Sequence, residues 1–357
     1  MIFVKAEDLK QGMRLAKPIY NKNGVKLYER DTKLTAQGIE SINNFGLIGI
    51  YVLEPAEPVP IMTEEDIEFE RFQTVSVFSL KANLQGLAAG KKAPTLNKLA
   101  NDVISRYGRL DHKLNFVQNL RSPEDYAYKH SINVAILTAL MANTLKMTNT
   151  DRLCAVNAAL LHDVGRLTIA ENRRNEDGDF DDVDLMAASY GSINTNFDLD
   201  EDIKKAFVQF RRAVEARAAG KKAENNMVTD VLLVAHAYDS LTAMRLNAEP
   251  SSEVQAMRFL MDEKNGYNTR VVNALIDSIN ILIPGVCIEL TNGEKGLVLV
   301  ENKTNILRPM VLLFKDNKVF DLAHPSVFAE VQIQDIMKTM DNRFVMDRSL
   351  LEDMGIK

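Results

Sequence analysis

The feature that most constrains this chain is a stretch from about residue 95 to 283 in which apolar side chains recur at helix spacing. The pattern is clearest in EDYAYKHSINVAILTALMANTL, TDRLCAVNAALLHDV, EDIKKAFVQFRRAVEAR and MVTDVLLVAHAYDSLTAMR. Apolar residues three and four positions apart share one face of a helix, and that face needs other helices to bury it. The sequence therefore predicts a multi-helix bundle and a mainly α protein.

Residues 1–54 predict a small N-terminal α/β module. PIYNKNGVKLYE has two β-prone runs around Asn23-Gly24, a dipeptide typical of tight hairpins. LTAQGIESINNFG predicts an amphipathic helix, and IGIYVL predicts a short strand. The proline-rich EPAEPVP opens residues 55–94, which we interpret as a linker and a helical arm that begins at a capping-box-like Thr63 and Asp66.

The C-terminal residues 284–357 predict a β-appendage that follows the helical domain of residues 95–283. Pro284 and Gly285 end the helices, and three β-like runs follow, VCIELTNGEKGLVLVEN, RPMVLLFKD and KVFDLA. Turns are expected at Asn292-Gly293 and Asp316-Asn317. A last helix is expected over IQDIMKTMD.

Length and composition exclude several classes of protein. With 357 residues the chain is long enough for two or three domains, and its net charge of −6 argues against a general nucleic-acid binder. Cys154 and Cys287 both lie in apolar runs and form neither a disulfide framework nor a zinc–thiolate pattern. No apolar segment has the length of a membrane span, so we expect no membrane insertion and a reducing, cytoplasmic location.

Three of the five histidines lie in the middle of apolar helices: His130 in AYKHSINVAIL, His162 in ALLHDVG and His236 in LLVAHAYDSL. Imidazole is a good ligand for transition metals, and a carboxylate such as the neighbouring Asp163 can complete a mixed site. A histidine in an apolar helix is, however, more often a hydrogen-bonded core residue. The residue types alone leave both interpretations open.

The order of these segments resembles the HD superfamily of metal-dependent phosphohydrolases, and most closely its HD-GYP branch. HSINVAILTALMA is similar to that family's first-histidine helix, AALLHDVGRL to its His-Asp segment, and VAHAYDSLTAMR to its aspartate-bearing helix. GMRLAKPIYNKNGVKLYERDTKLT and PGVCIELTNGEKGLVLVENK look like modules that accompany HD-GYP domains. The resemblance implies an HD-type helical bundle and, for active members, hydrolysis of cyclic di-GMP.

The sequence departs from the family in the residues that carry the chemistry. Active members have further histidines after the His-Asp pair, and then a His-His-Glu segment that runs into Gly-Tyr-Pro. Here no histidine lies between His162 and His236, and Gly266-Tyr267 follows the VAHAYD helix and lacks the proline. His236 stands where the family has a metal-binding aspartate, and Arg166 stands where it has a lysine. Tyr126 stands where some members have a glutamate ligand.

The resemblance leaves four predicted metal ligands: His130, His162, Asp163 and His236. Asp163 is also the predicted catalytic residue if hydrolysis survives. Such a set suits one divalent transition-metal ion (iron, manganese or zinc) per chain but hardly two, whereas phosphodiester hydrolysis needs a second positive centre.

Further residues are predicted to bind a ligand or to support the metal ligands. Lys129, Arg166 and Arg245 are predicted phosphate-binding cations, although each could be a solvated residue at a helix end. Asp239, three residues past His236, is predicted to orient or replace it. The acidic NEDGDFDDVD is expected to be an exposed loop.

The sequence supports one leading and two competing functions. The leading hypothesis is a degenerate HD-GYP-like signalling protein that binds a metal, a nucleotide related to cyclic di-GMP or a protein partner, with little or no turnover. The second is an active metal-dependent phosphodiesterase on cyclic di-GMP or another phosphate ester, because the His-Asp pair survives. The third is a metal-free scaffold whose polar residues are satisfied internally.

Overall fold

The computed structural model of the protein describes residues 2–20, 25–53, 63–174, 180–196, 198–221, 223–244 and 249–337. Over these residues the chain is mainly helical, with small sheets at both ends, as the sequence predicts. None of the described helices is both long and apolar enough to span a membrane.

The N-terminal region combines a small sheet, a hairpin and one helix: β1 (Ile2–Lys5), β2 (Arg14–Leu15), β3 (Ile19–Tyr20), β4 (Lys26–Tyr28), α1 (Ala36–Asn44) and β5 (Gly49–Leu53). The sheet has the order β1-β5-β2, and β3 pairs with β4 as the predicted hairpin. The tip of that hairpin, Asn23-Gly24, lies outside the described residues. Ile42 of α1 and Ile50 of β5 belong to one buried apolar cluster, so the helix covers the sheet.

Nine helices build the described part of the bundle: α2 (Glu64–Ala88), α3 (Leu96–Tyr107), α4 (Tyr126–Thr144), α5 (Asn149–Leu161), α6 (Asp182–Asn194), α7 (Glu201–Ala218), α8 (Met227–Thr242), α9 (Glu253–Met261) and α10 (Thr269–Ile276). The predicted capping box of α2 is confirmed, since Thr63 and Asp66 cap each other's backbone. Helix α4 is apolar on all sides and almost wholly buried, which makes it the central helix.

The C-terminal region forms one antiparallel sheet and a short helix: β6 (Cys287–Leu290), β7 (Lys295–Val300), β8 (Met310–Leu313), β9 (Val319–Asp321), α11 (Pro325–Glu330) and β10 (Ile333–Ile336). The strand order is β10-β6-β7-β8-β9. One apolar cluster extends from Phe69 of α2 to Ile333 of β10, so the sheet packs on the bundle. This core crosses the predicted boundaries at 94/95 and at 283/284. The domain boundaries therefore stay predictions.

The helix expected over IQDIMKTMD is wrong at its start. Ile333–Ile336 is a strand that pairs with β6, and Ile333 is buried while Gln334 is exposed. The alternation of buried and exposed side chains and the free edge of β6 together favour the strand, because pairing satisfies the backbone groups of both segments. Residues 338–341 of the predicted helix lie outside the described residues.

Candidate metal centre

Three histidines from three parts of the bundle meet at one point. His130 comes from the first turns of α4, His162 ends α5, and His236 lies in α8. His130 Nε2 lies 3.2 Å from His236 Nδ1, which in turn lies 3.3 Å from His162 Nε2. One nitrogen from each ring lies within 4.8 Å of the other two, a spacing that could hold a metal ion. The three predicted histidine ligands therefore lie together.

The other nitrogen of each ring faces an acceptor. His130 Nδ1 lies 2.6 Å from Asp239 Oδ2, and His162 Nδ1 lies 2.7 Å from the carbonyl oxygen of Ala159. His236 Nε2 lies 3.7 Å from Asp182 Oδ2. A carboxylate or carbonyl can only accept, so these outer nitrogens carry the protons. The inner nitrogens then present three converging lone pairs, which is how a protein fixes histidine tautomers for a metal.

The surroundings of His130 and His162 keep both imidazoles neutral, as metal ligation requires. Burial lowers the pKa of His130, although the Asp239 carboxylate opposes this shift. Burial, with His130 nearby, lowers the pKa of His162 to about 3. Burial also acts to lower the pKa of His236, but the Asp182 carboxylate outweighs it, and the pKa of His236 is raised.

Asp239 anchors the inner side of the centre. Arg121 Nη2 donates to Asp239 Oδ2 over 2.6 Å, and the side-chain amides of Gln118 and Asn133 each donate to Oδ1 over 2.9 Å. Both members of the ion pair are 0% exposed. Burial raises the pKa of Asp239, but Arg121 and His130 outweigh it and hold that pKa well below its usual range. The carboxylate is therefore charged and fully bound.

This arrangement corrects the predicted role of Asp239. The carboxylate orients His130 on α4, not His236 three residues before it on α8. Sequence reasoning also missed Arg121 and Gln118, which lie in a segment without helix or strand periodicity. Asn133 offered a signal, because a buried amide in the largely apolar helix α4 needs a hydrogen-bond partner.

Asp163 lies beside His162 but outside the group of converging nitrogens. Its side chain is buried, and its Oδ2 accepts from Arg166 Nε over 2.7 Å. Burial raises the pKa of Asp163, but Arg166 and the three histidines outweigh it, and the pKa is lowered. The predicted metal ligand Asp163 and the predicted phosphate-binding Arg166 thus form an ion pair with each other.

The turn that carries Asp163 is held tightly against α6. Ser189 Oγ accepts from the Gly165 backbone nitrogen over 2.8 Å and donates to the His162 carbonyl over 2.6 Å. A Cβ at Gly165 would lie 2.5 Å from the Leu185 carbonyl oxygen, a separation that real structures do not allow. The glycine of AALLHDVGRL therefore lets this turn approach α6 and sets the position of both His162 and Asp163.

The predicted phosphate-binding Lys129 is bound to groups at the start of α4. Lys129 Nζ donates to the Leu120 carbonyl over 2.5 Å and pairs with Asp125 Oδ2 at 2.6 Å, at the start of α4. Arg245 lies outside the described residues. Tyr126 lies between two guanidinium groups, 5.0 Å from that of Arg121 and 4.6 Å from that of Arg166.

Two further residues that sequence reasoning missed contribute to the site. Asp182 was expected in an exposed acidic loop, yet it begins α6 beside His236, whose imidazole lowers the pKa of Asp182 to about 2. Its side chain is 57% exposed, so this is the solvent side of the centre. The ring of Phe210 lies 5.9 Å from those of His162 and His236. Asp181, which caps α6, was the sequence signal for a helix start here.

This arrangement can hold one divalent transition-metal ion. Imidazole nitrogens are common ligands of zinc, iron and manganese. Such an ion needs at least one further ligand, so a water molecule or an oxygen of a bound molecule can occupy the remaining position.

Comparison with known proteins matches part of the chain to one family and finds several similar proteins. Residues 127–247, which include all three histidines, match the HD domain family. The chain is 22% identical over 281 residues to a cyclic di-GMP phosphodiesterase of Pseudomonas aeruginosa, covering 74% of this chain and 67% of that protein. It is 27% identical over 144 residues to a 3'3'-cGAMP-specific phosphodiesterase of Vibrio cholerae, covering 36% of this chain and 29% of that protein. A solved HDG"Y"P protein from Bdellovibrio bacteriovorus superposes with a TM-score of 0.44 at 12% identity, covering 77% of this chain and 98% of that one.

Proposed function

We propose that this chain is a signalling protein of the HD-GYP-like kind whose HD domain binds one divalent transition-metal ion through His130, His162 and His236. The ion is iron, manganese or zinc. The observation that carries the proposal is the convergence of three imidazole nitrogens whose opposite ring nitrogens all face acceptors.

The ligand of this centre is a cyclic dinucleotide or a related phosphorylated molecule. The two relatives named above act on cyclic di-GMP and on 3'3'-cGAMP. A metal ion with an open position binds a phosphate oxygen, and the guanidinium of Arg166 at the same centre is suited to a second one.

Turnover is expected to be weak or absent. Hydrolysis of a phosphodiester needs an activated water and a second positive centre to stabilise charge on the phosphate. One metal ion has to do both, because the carboxylate of Asp163 is bound to Arg166. The protein is therefore a receptor that binds its ligand with little or no hydrolysis. Its proposed location is the cytoplasm, as the sequence predicts.

A second candidate function is an active phosphodiesterase. Its support is that Arg166, at 14% side-chain exposure, supplies a positive charge next to the metal site, which could stabilise the phosphate in place of a second ion. Binding alone and turnover are separable by experiment.

The experiment measures metal and ligand in the same preparations. Elemental mass spectrometry of the wild type should find about one transition-metal ion per chain, and His162→Ala should lose it because a ligand is removed. His112→Ala is the matched control, because His112 is half exposed and pairs with Glu65 and Asp111 away from the centre. A wild type that holds no metal after reconstitution would contradict the proposal.

Calorimetry with cyclic di-GMP and 3'3'-cGAMP, followed by chromatography of the products, then decides between the two functions. Binding that needs the metal and leaves the dinucleotide intact supports the receptor. Hydrolysis that His162→Ala abolishes and His112→Ala preserves supports the phosphodiesterase.

A further inference from the structure

We infer that Lys17 of the N-terminal module is a positioning residue for the metal centre. It holds the backbone of residues 117–121, the connecting segment, and side chains of that segment hold Asp239, which orients His130. This inference rests on the proposed metal-binding function and extends it. The affinity of the centre for its ion then depends on how the N-terminal module is attached to the bundle.

The connecting segment contains no helix or strand, so its contacts with the rest of the protein fix its position. Gln118 Nε2 donates to Asp239 Oδ1 over 2.9 Å, and Arg121 Nη2 donates to Asp239 Oδ2 over 2.6 Å. Between these two residues, Leu120 packs against the apolar core of the N-terminal module. The segment therefore joins the module to a support of the metal centre.

The N-terminal module also binds the backbone carbonyls of the connecting segment. Lys17 Nζ donates to the Gln118 carbonyl oxygen over 2.5 Å. The Ile48 backbone nitrogen donates to the Arg121 carbonyl oxygen over 2.9 Å. Lys17 is buried, and its Nζ lies 4.5 Å from the centre of the Tyr51 ring. An amine held between an acceptor and an aromatic face is a fixed attachment and not a mobile surface contact.

Buried polar contacts lead without a break from Lys17 to the centre. The lysine binds the carbonyl of Gln118, and the side-chain amide of Gln118 binds Asp239. Asp239 Oδ2 in turn lies 2.6 Å from His130 Nδ1, and all four side chains are buried. A buried carbonyl that loses its donor is costly, so the segment shifts toward another donor. Such a shift moves the Gln118 amide away from Asp239, which then holds His130 less firmly.

Helix α2 also holds the connecting segment, which limits the expected effect of Lys17. Gln73 Nε2 donates to the Val117 carbonyl oxygen over 3.2 Å and to Asn133 Oδ1 over 2.9 Å. These bonds remain when Lys17 is changed. We therefore expect weaker metal binding and not the loss of the centre.

The experiment compares the metal affinity of the wild type with that of Lys17→Met, a side chain of similar length that cannot donate a hydrogen bond. Zn²⁺ affinity of the whole chain is measured at neutral pH by competition with a chelating dye. Thermal denaturation first shows that both proteins are folded. The affinity should fall about tenfold, the lower end of the loss that follows changes at supports of metal ligands.

A spectroscopic readout separates positioning from a general loss of stability. In Zn²⁺-loaded protein with ¹⁵N-labelled histidines, the Nδ1 proton that His130 donates to Asp239 gives a correlation in the ¹H–¹⁵N NMR spectrum. This correlation should shift in Lys17→Met. The correlation of His162, whose Nδ1 faces the Ala159 carbonyl, should stay unchanged. A change confined to folding stability would move neither of them.

Two further variants test the route from Lys17 to the centre. Arg30→Met breaks the ion pair of the N-terminal module with Glu70 of α2 and leaves the Lys17 bond in place, so Zn²⁺ affinity should stay at the wild-type value. Gln118→Ala keeps the carbonyl that Lys17 binds but removes the amide that reaches Asp239. Adding Lys17→Met to Gln118→Ala should therefore change the affinity less than Lys17→Met does alone.

The outcomes separate this inference from the proposed function. Wild-type affinity in a folded Lys17→Met protein overturns the inference and leaves the proposed function standing. Equal weakening in Arg30→Met also overturns it, because any loosening of the module would then suffice. A wild type that binds none of Zn²⁺, Mn²⁺ and Fe²⁺ overturns the proposed function and this inference with it. If Lys17→Met does not fold, Leu120→Ala, which loosens the same segment from the module, replaces it with the same expected direction.

Discussion

Two buried aspartates on either side of the three histidines are paired with arginines, and they differ in how they are held. Asp239 accepts from Arg121, Gln118, Asn133 and His130, and Arg121 is 0% exposed. Asp163 accepts from Arg166, whose side chain is 14% exposed and belongs to a short turn. One carboxylate is part of the core, and the other lies at the edge that opens toward solvent.

The comparison shows that burial of a carboxylate does not by itself indicate its role. At Asp239 the surrounding donors use both oxygens, so the residue positions His130, which burial keeps neutral against the effect of this carboxylate. At Asp163 the ion pair can be opened by moving one partly exposed side chain. We therefore expect changes at Asp239 to affect folding and changes at Asp163 to affect what the centre binds.

The largest effect is expected from Asp239→Asn. The change leaves the fully buried guanidinium of Arg121 without its counter-charge, and it should lower the free energy of unfolding by about 3–5 kcal/mol, measured by urea denaturation. Metal affinity should fall about 10- to 100-fold, because a neutral amide replaces the carboxylate that orients His130. Asp184→Asn, in an exposed ion pair with Arg173, is the control and should change little. A small loss of stability in Asp239→Asn would remove the contrast between the two carboxylates.

An intermediate effect on stability is expected from the titration of Lys17, which binds the segment that holds Asp239. Its Nζ donates to the carbonyl of Gln118 over 2.5 Å, and burial lowers its pKa to about 8, although Glu70 opposes the shift. Above that pH the unfolded chain binds more protons than the folded one, so stability should rise with pH. From pH 8 to about 9.5 the rise should be about 2 kcal/mol.

The matched variant for this test is Lys17→Met, which should lack the rise. Unfolding curves are compared below pH 10, because burial raises the pKa of the neighbouring Tyr51 and its titration acts in the opposite direction at higher pH. Parallel stability curves for Lys17→Met and the wild type would show that the lysine is not held uncharged by the fold.

The smallest effect on stability is expected from Asp163→Asn. Arg166 can turn toward water when its partner loses the charge, so the free energy of unfolding should fall by about 1 kcal/mol. The three histidines should still hold one metal ion in this variant, as elemental mass spectrometry can measure. Loss of the ion would make Asp163 a ligand, as the sequence predicts, and would place it with the histidines.

Much of the fold could be predicted from local patterns. Helix periodicity indicated the bundle, Thr63 and Asp66 marked the start of α2, and Asn23-Gly24 indicated the hairpin of β3 and β4. These features depend on residues a few positions apart, whose spacing decides which side chains share a face or cap a helix. The histidines stood out because each lies in an apolar helix, but it was the resemblance to HD-GYP proteins that predicted them as metal ligands.

The sequence alone thus determined the elements and the three imidazoles, and the tertiary structure decided their partners. Only packing brought Asp239 of α8 to His130 of α4, Asp182 to His236, and the irregular segment with Arg121 into the core. It also turned Arg166 onto Asp163 and made Ile333–Ile336 a strand on the free edge of β6. Such pairs depend on the rotation and crossing angle of helices whose apolar faces pack together. The spacing of residues along the chain does not determine that crossing angle.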